Sequence, residues 1–155
     1  MRIVLVSVGT QMPSWVQLAW DEYSKRMPAH CSLQLKEIAA GKRGKNADIE
    51  RILDDEAKRL WSAVPRDAFV VALDRSGKSV DSKTLAQQLE LRLQEGIDWV
   101  FLIGGPEGLT QECLGKADVC WSLSAMTMAH PVARVVLAEQ LYRAWSISAG
   151  LPYHR

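Results

Sequence analysis

The chain has 155 residues, 48% hydrophobic and 24% charged, with a formal net charge of +1. This length fits one domain, 1–155, that buries about 70% of its unfolded surface. The composition is that of a soluble globular protein rather than a disordered one, and no apolar run approaches the ~20 residues that span a bilayer. The near-zero charge argues neither for nor against nucleic acid, but its distribution is uneven. Lys36, Lys42, Arg43, Lys45 and Arg51 gather around one loop, and a later stretch is acidic. Cys31, Cys113 and Cys120 are odd in number and lack CxxC spacing, so they read as buried thiols rather than a disulfide framework or zinc site. The opening MRIVLVSVGT reads as a strand rather than a signal peptide, which leads us to expect a cytoplasmic protein without a membrane partner.

Ile3 to Val8 is the first predicted strand, ending at Gly9. Pro13 suits a helix start, and Trp15, Leu18, Ala19 and Tyr23 recur at helical spacing before Pro28. Leu33, Leu35 and Ile38 mark a second strand, followed by the cationic loop 39–46. Asn46 or Asp48 is positioned to cap a helix whose inner face is Ile49, Ile52, Leu53, Ala57 and Leu60. Ala68 to Leu73 is a third strand ending at Asp74, with a turn at Ser76-Gly77-Lys78. The next helix begins at Ser82, carries Leu85, Leu89 and Leu93, and stops at Gly96.

Strand four (Trp99 to Ile103), a short helix from Thr110, strand five (Val119 to Leu123) and a long helix from Pro131 towards Gly150 complete the chain. Alternation of this kind predicts an α/β fold, a mostly parallel sheet flanked by helices. On the last helix Glu139, Gln140, Arg143 and Ser146 share a polar face. The apolar remainder either packs against a second subunit or is wedged inside a monomer. Arg134 stands within the apolar arc, where it reaches back either to an anionic ligand or to a structural salt bridge.

Two apolar strands end in loops built for close approach, Gly104-Gly105-Pro106 and Ser124-Ala125-Met126-Thr127-Met128. In open α/β sheets, ligands bind beyond the carboxyl ends of strands, so these loops locate the expected crevice. Several chemistries fall away. Gly44-Lys45 lacks the earlier Gly and the following Ser or Thr of a phosphate loop. No GxGxxG or GxSxG occurs, and His30, His130 and His154 lack metal-ligand spacing.

GKRGKNAD (41–48), LIGGPEGL (102–109), WSLS (121–124), His130-Pro131, LYRAW (141–145) and the terminal PYHR (152–155) together resemble the bacterial ribosomal RNA large-subunit methyltransferase H family, of the SPOUT class. The resemblance runs end to end. It implies a SPOUT-type fold with a C-terminal trefoil knot, which periodicity does not reveal, and it implies a homodimer. The implied activity is methyl transfer from S-adenosylmethionine to N3 of a pseudouridine in 23S rRNA on the assembled ribosome. The implied cofactor contacts are Leu73, Gly104, Leu123, Ser124, Ala125, Met126, Thr127 and Met128.

In-line transfer to N3 requires positioning and loss of the N3 proton. Glu107, Glu139 and His130 are the candidate bases, with none preferred. Arg134, His154 and Arg155 are candidate substrate contacts, and Tyr153 a candidate stacking surface for a base. Lys42, Arg43 and Lys45 either hold phosphates or form a solvated loop. Two other readings stand beside this one: a SPOUT methyltransferase with another RNA target, and a non-catalytic ribosome-binding module.

Overall fold

A computed structural model describes residues 1–155. Strands and helices alternate as β1 (Arg2–Val8), α1 (Ser14–Ser24), β2 (Ser32–Ile38), α2 (Ile49–Ser62), β3 (Phe69–Ser79) and α3 (Ser82–Glu95), then β4 (Trp99–Ile103), α4 (Gln111–Lys116), β5 (Val119–Ser122) and α5 (His130–Ser148). The five strands form one sheet in the order β2-β1-β4-β3-β5, and every pairing is parallel. This is the α/β architecture expected from the alternation. No helix is long and apolar enough to cross a membrane.

Strands buried on both faces explain the unbroken apolar runs. Ile3, Leu5, Trp99, Phe101 and Ile103 face a core shared with Trp20 of α1, Leu85 and Leu89 of α3, and Leu137, Leu141 and Ala144 of α5. Val4, Val6, Val8, Val100 and Leu102 face the other way, towards Leu60 of α2 and Cys113 of α4. The molecule therefore has three layers. Asp48, Asp81 and Thr110 cap α2, α3 and α4 through hydrogen bonds to the amides of Arg51, Thr84 and Cys113. Gly96 ends α3 in the left-handed conformation, φ 68°.

Three expectations need correction. The inner face of α1 is Val16 and Trp20, whereas Trp15 and Leu18 are 50% and 70% exposed. Both faces of α1 carry apolar residues, so spacing alone could not choose between them.

Strand β3 does not stop at Asp74. After an irregularity between Leu73 and Lys78 it rejoins β5, pairing Lys78 with Trp121 and Ser79 with Ser122. Gly77 permits this, because a Cβ there would lie 2.6 Å from the Trp121 carbonyl carbon. Asp74 rounds the irregularity by accepting the Ser76 amide at 2.9 Å.

In α5, Ser146 is fully buried and donates to the Arg143 carbonyl at 2.8 Å, so it does not belong to the exposed polar face. The helix packs against both α1 and α3. Much of its apolar surface is thus covered within one chain.

Candidate active site

The carboxyl ends of β3, β4 and β5 lie side by side, and beyond them opens a cleft of about 560 Å³. Leu73 and Asp74 come from β3, Ile103 and the Gly104–Gly108 loop from β4, and Ser122 to Ser124 from β5. Met126, Thr127, Met128 and the start of α5, including His130 and Ala133, close the remaining side. Leu73, Gly104, Leu123, Ser124, Met126, Thr127 and Met128, expected as cofactor contacts, therefore share one cavity. Ala125 sits in the same loop, exposed and outside the lining.

Local chemistry shapes these walls. Gly104 and Gly108 are pressed backbone to backbone: a Cβ on Gly104 would stand 2.4 Å from the Gly108 carbonyl carbon, and Gly108 itself adopts φ 79°. The loop after β5 holds its own shape, with Ser122 Oγ donating to the Ser124 carbonyl at 2.9 Å and Ser124 Oγ accepting the Met126 amide at 3.0 Å. Met126 is 79% exposed. Its side chain lines the rim of the cavity.

Charge in the cleft is specific. Burial, and then the nearby Arg134 guanidinium, push the His130 imidazole below its ordinary value, so the ring is neutral at pH 7. Hydrogen bonds from Arg43 hold Glu107 below the usual carboxylate range, so it is ionised there. Asp74 and Arg75 also line the cavity. They were missed because β3 was expected to end where it in fact continues.

The cationic residues divide into two kinds. Lys42 and Lys45 are exposed. Arg43 is instead spent on internal contacts. Its Nη1 and Nη2 each donate at 3.0 Å to the two oxygens of Glu56, and its Nη2 and Nε donate to Glu107 at 2.7 and 2.9 Å. Glu56 is 2% exposed and also accepts the Gly41 amide at 2.8 Å. An acid within the apolar stripe of α2 was the sequence signal for it.

Arg134 is likewise occupied. At 1% exposure it donates to Glu37 at 2.7 Å, Ser7 Oγ at 3.1 Å and the Gly9 carbonyl at 2.7 Å. Of its two readings, the geometry is that of the structural salt bridge, tying α5 to the ends of β1 and β2.

His154 and Arg155 are exposed, while Tyr153 is half-buried against its own chain. The Tyr153 hydroxyl donates to Glu139 at 3.2 Å, and its ring meets Tyr142 edge-on at 4.7 Å. Partial burial, with Tyr23 and Glu139 beside it, pushes the Tyr153 phenol up to about 12. Glu139 is also engaged by Arg143 and Gln140. It stands more than two turns from His130, roughly 13 Å along α5 at about 1.5 Å per residue.

A second hollow, between α2 and α4, has Lys58 and Lys116 offset by Asp54 and Glu112. Lys116 already covers the Trp61 ring at 4.5 Å, so the hollow presents no surface of one sign. No group of three or more His, Cys, Asp or Glu is placed to hold a metal ion.

A parallel α/β sheet whose strand ends feed Gly-rich and Met-containing loops into one cleft agrees with a family model described as "Predicted SPOUT methyltransferase", which matches residues 1–154. The chain belongs to that family of methyltransferases. It is also 54% identical to the ribosomal RNA large subunit methyltransferase H of Thioalkalivibrio sulfidiphilus (strain HL-EbGR7) over 155 residues, which cover 100% of this chain and 99% of that protein. The resemblance carried by the six motifs is borne out along the whole chain.

Proposed function

We propose that this protein transfers a methyl group from S-adenosylmethionine to N3 of a pseudouridine in 23S ribosomal RNA, acting as a homodimer on the assembled ribosome. One observation carries the reading. Residues far apart in sequence, Leu73, Gly104 and the 123–128 loop, line a single cleft in a chain that matches an rRNA methyltransferase end to end.

The residues present fit the cofactor. A volume of about 560 Å³ suits a nucleoside-sized ligand. Leu73, Ile103, Leu123, Met126 and Met128 supply apolar faces for the adenine, and Asp74 and Glu107 supply negative charge for a sulfonium centre. Bound there, S-adenosylmethionine supplies an electrophilic methyl group.

The protein's part is to align the acceptor and remove its proton. Of the three candidate bases, Glu139 lies in the Arg143–Tyr153 cluster and Glu107 is held ionised by Arg43, which makes it a weak base. His130 lines the cleft with a neutral ring and is the best-matched proton acceptor. Lys42 and Lys45 face solvent and suit phosphate contact, which supplies affinity without sequence choice.

Two features support a homodimer. The exposed Trp15 and Leu18 of α1 form an apolar surface that one chain leaves uncovered. Tyr153 docks well along α5 from the cleft of its own chain, so a tail contact with substrate is more readily made at the cleft of a second copy.

The test is incubation of ribosomes or free rRNA with the protein and labelled cofactor, followed by mass spectrometry of the digested RNA. The expected product is one N3-methylated pseudouridine in 23S rRNA, formed on ribosomes. Label in a different nucleotide would indicate another RNA target. Absence of both label and cofactor binding in calorimetry would leave a ribosome-binding module.

A further inference from the structure

The loop that carries the cationic motif does more than present charge. Arg43 points inward and bridges two carboxylates from different elements: Glu56, buried on α2, and Glu107, on the wall of the cleft. Gly105 makes room for this arrangement, since a Cβ there would stand 3.3 Å from Arg43 Nη2 and 3.2 Å from Val8 Cγ1. Arg43 also donates to the Gly41 carbonyl at 2.8 Å, which curls the loop around its own guanidinium. The planar fork of arginine meets two carboxylates at once, a geometry lysine cannot reproduce. Nothing else among the side-chain hydrogen bonds joins the Gly104–Gly108 loop to α2.

We propose that Arg43 is a positioning residue for the cofactor cleft: by clamping Glu107 against Glu56 it fixes the Gly104–Gly108 wall, while phosphate contact falls to Lys42 and Lys45. The inference rests on the reading of the cleft as the S-adenosylmethionine site. It assigns the two halves of one motif to different ligands. The exposed lysines serve the RNA, and the enclosed arginine serves the cofactor through Glu107.

The test uses the full chain with Arg43→Lys, Glu107→Gln and the double variant. Glu107→Gln leaves the Arg43–Glu56 pair in place and so keeps the cationic loop tied to α2 while releasing the Gly104–Gly108 wall. The Kd for S-adenosylmethionine, by calorimetry, is expected to rise roughly 5- to 30-fold in each single variant. The double variant should be no more than about twofold worse than Arg43→Lys alone, because both single changes break the Arg43–Glu107 contact. In ribosome methylation the KM for the cofactor should rise in parallel with the calorimetric Kd in each variant.

A merely structural bridge would lower Tm and leave the cofactor Kd within twofold, which would overturn the proposal. Tighter ribosome binding by Glu107→Gln with unchanged cofactor affinity would also overturn it, by showing a freed Arg43 gripping phosphate. Failure of the wild-type protein to bind S-adenosylmethionine would instead overturn the reading of the cleft, and this inference with it.

Discussion

Arg134 is the residue whose meaning depends most on folding. Its partner Glu37 lies 97 positions away in sequence, and its remaining bonds go to Ser7, Val8 and Gly9 at the end of β1. Helical spacing placed it correctly in the apolar arc of α5. What spacing could not supply was which strand ends would surround it. A guanidinium that is 1% exposed and fully bonded is a tie rather than a hand held out to substrate. Arg134→Met should therefore destabilise the protein by about 1–3 kcal/mol, since it leaves the buried Gly9 carbonyl and Ser7 hydroxyl without their donor, while the exposed Glu37 returns to water. Urea unfolding measures this directly, and a loss below about 1 kcal/mol would return Arg134 to the list of substrate contacts. Arg43 teaches the same lesson. Its charge was legible, and its two acidic partners, on α2 and beyond β4, were not.

At the scale of elements, strand and helix positions were legible because long apolar runs and caps such as Asp48 and Gly96 are local signals. Faces and strand ends were less so. Helix α1 carries the apolar Trp15 and Leu18 away from its buried face, and β3 resumes after an irregularity that reads in sequence as a turn. That resumption matters to the site, since it brings Asp74 and Arg75 to the cleft and binds β3 to the strand before the 123–128 loop. Gly77→Ala tests it. Its Cβ would be 2.6 Å from the Trp121 backbone, which must then move away. The expected loss is about 1–3 kcal/mol of stability, with weakened cofactor binding in calorimetry. Gly115→Ala, in α4 and facing open space, is the control and should be neutral or slightly stabilising. Equal behaviour of the two variants would mean that the β3–β5 contact is not needed.

At the scale of the molecule, the parallel sheet and the three-layer packing followed from alternation alone, whereas the sheet order and the cleft's full lining did not. Long-range pairing is invisible to a window of sequence. The surface available to the proposed homodimer also differs from the one expected on α5. Much of the apolar surface of α5 is absorbed between α1 and α3, although Val132 stays exposed, and away from the cleft the most exposed large apolar side chains are Trp15 and Leu18 on α1. The double variant Trp15→Ser/Leu18→Ser should move the sedimenting species from dimer to monomer with the far-ultraviolet circular dichroism unchanged. A wild-type protein that sediments as a monomer, or a double variant that stays dimeric, would remove α1 from the interface.

The strand order has one more consequence, for synthesis. Strand β4 fits between β1 and β3, yet it is translated long after β1, an interval of roughly 5 to 20 seconds at about 5–20 residues per second. During that time one edge of β1 is unpaired, and the polypeptide depends on slow, distant pairing to finish its sheet. The last wall of the cleft arrives later still, with the residues beyond Ser122. A nascent chain therefore has no complete pocket until translation is nearly over.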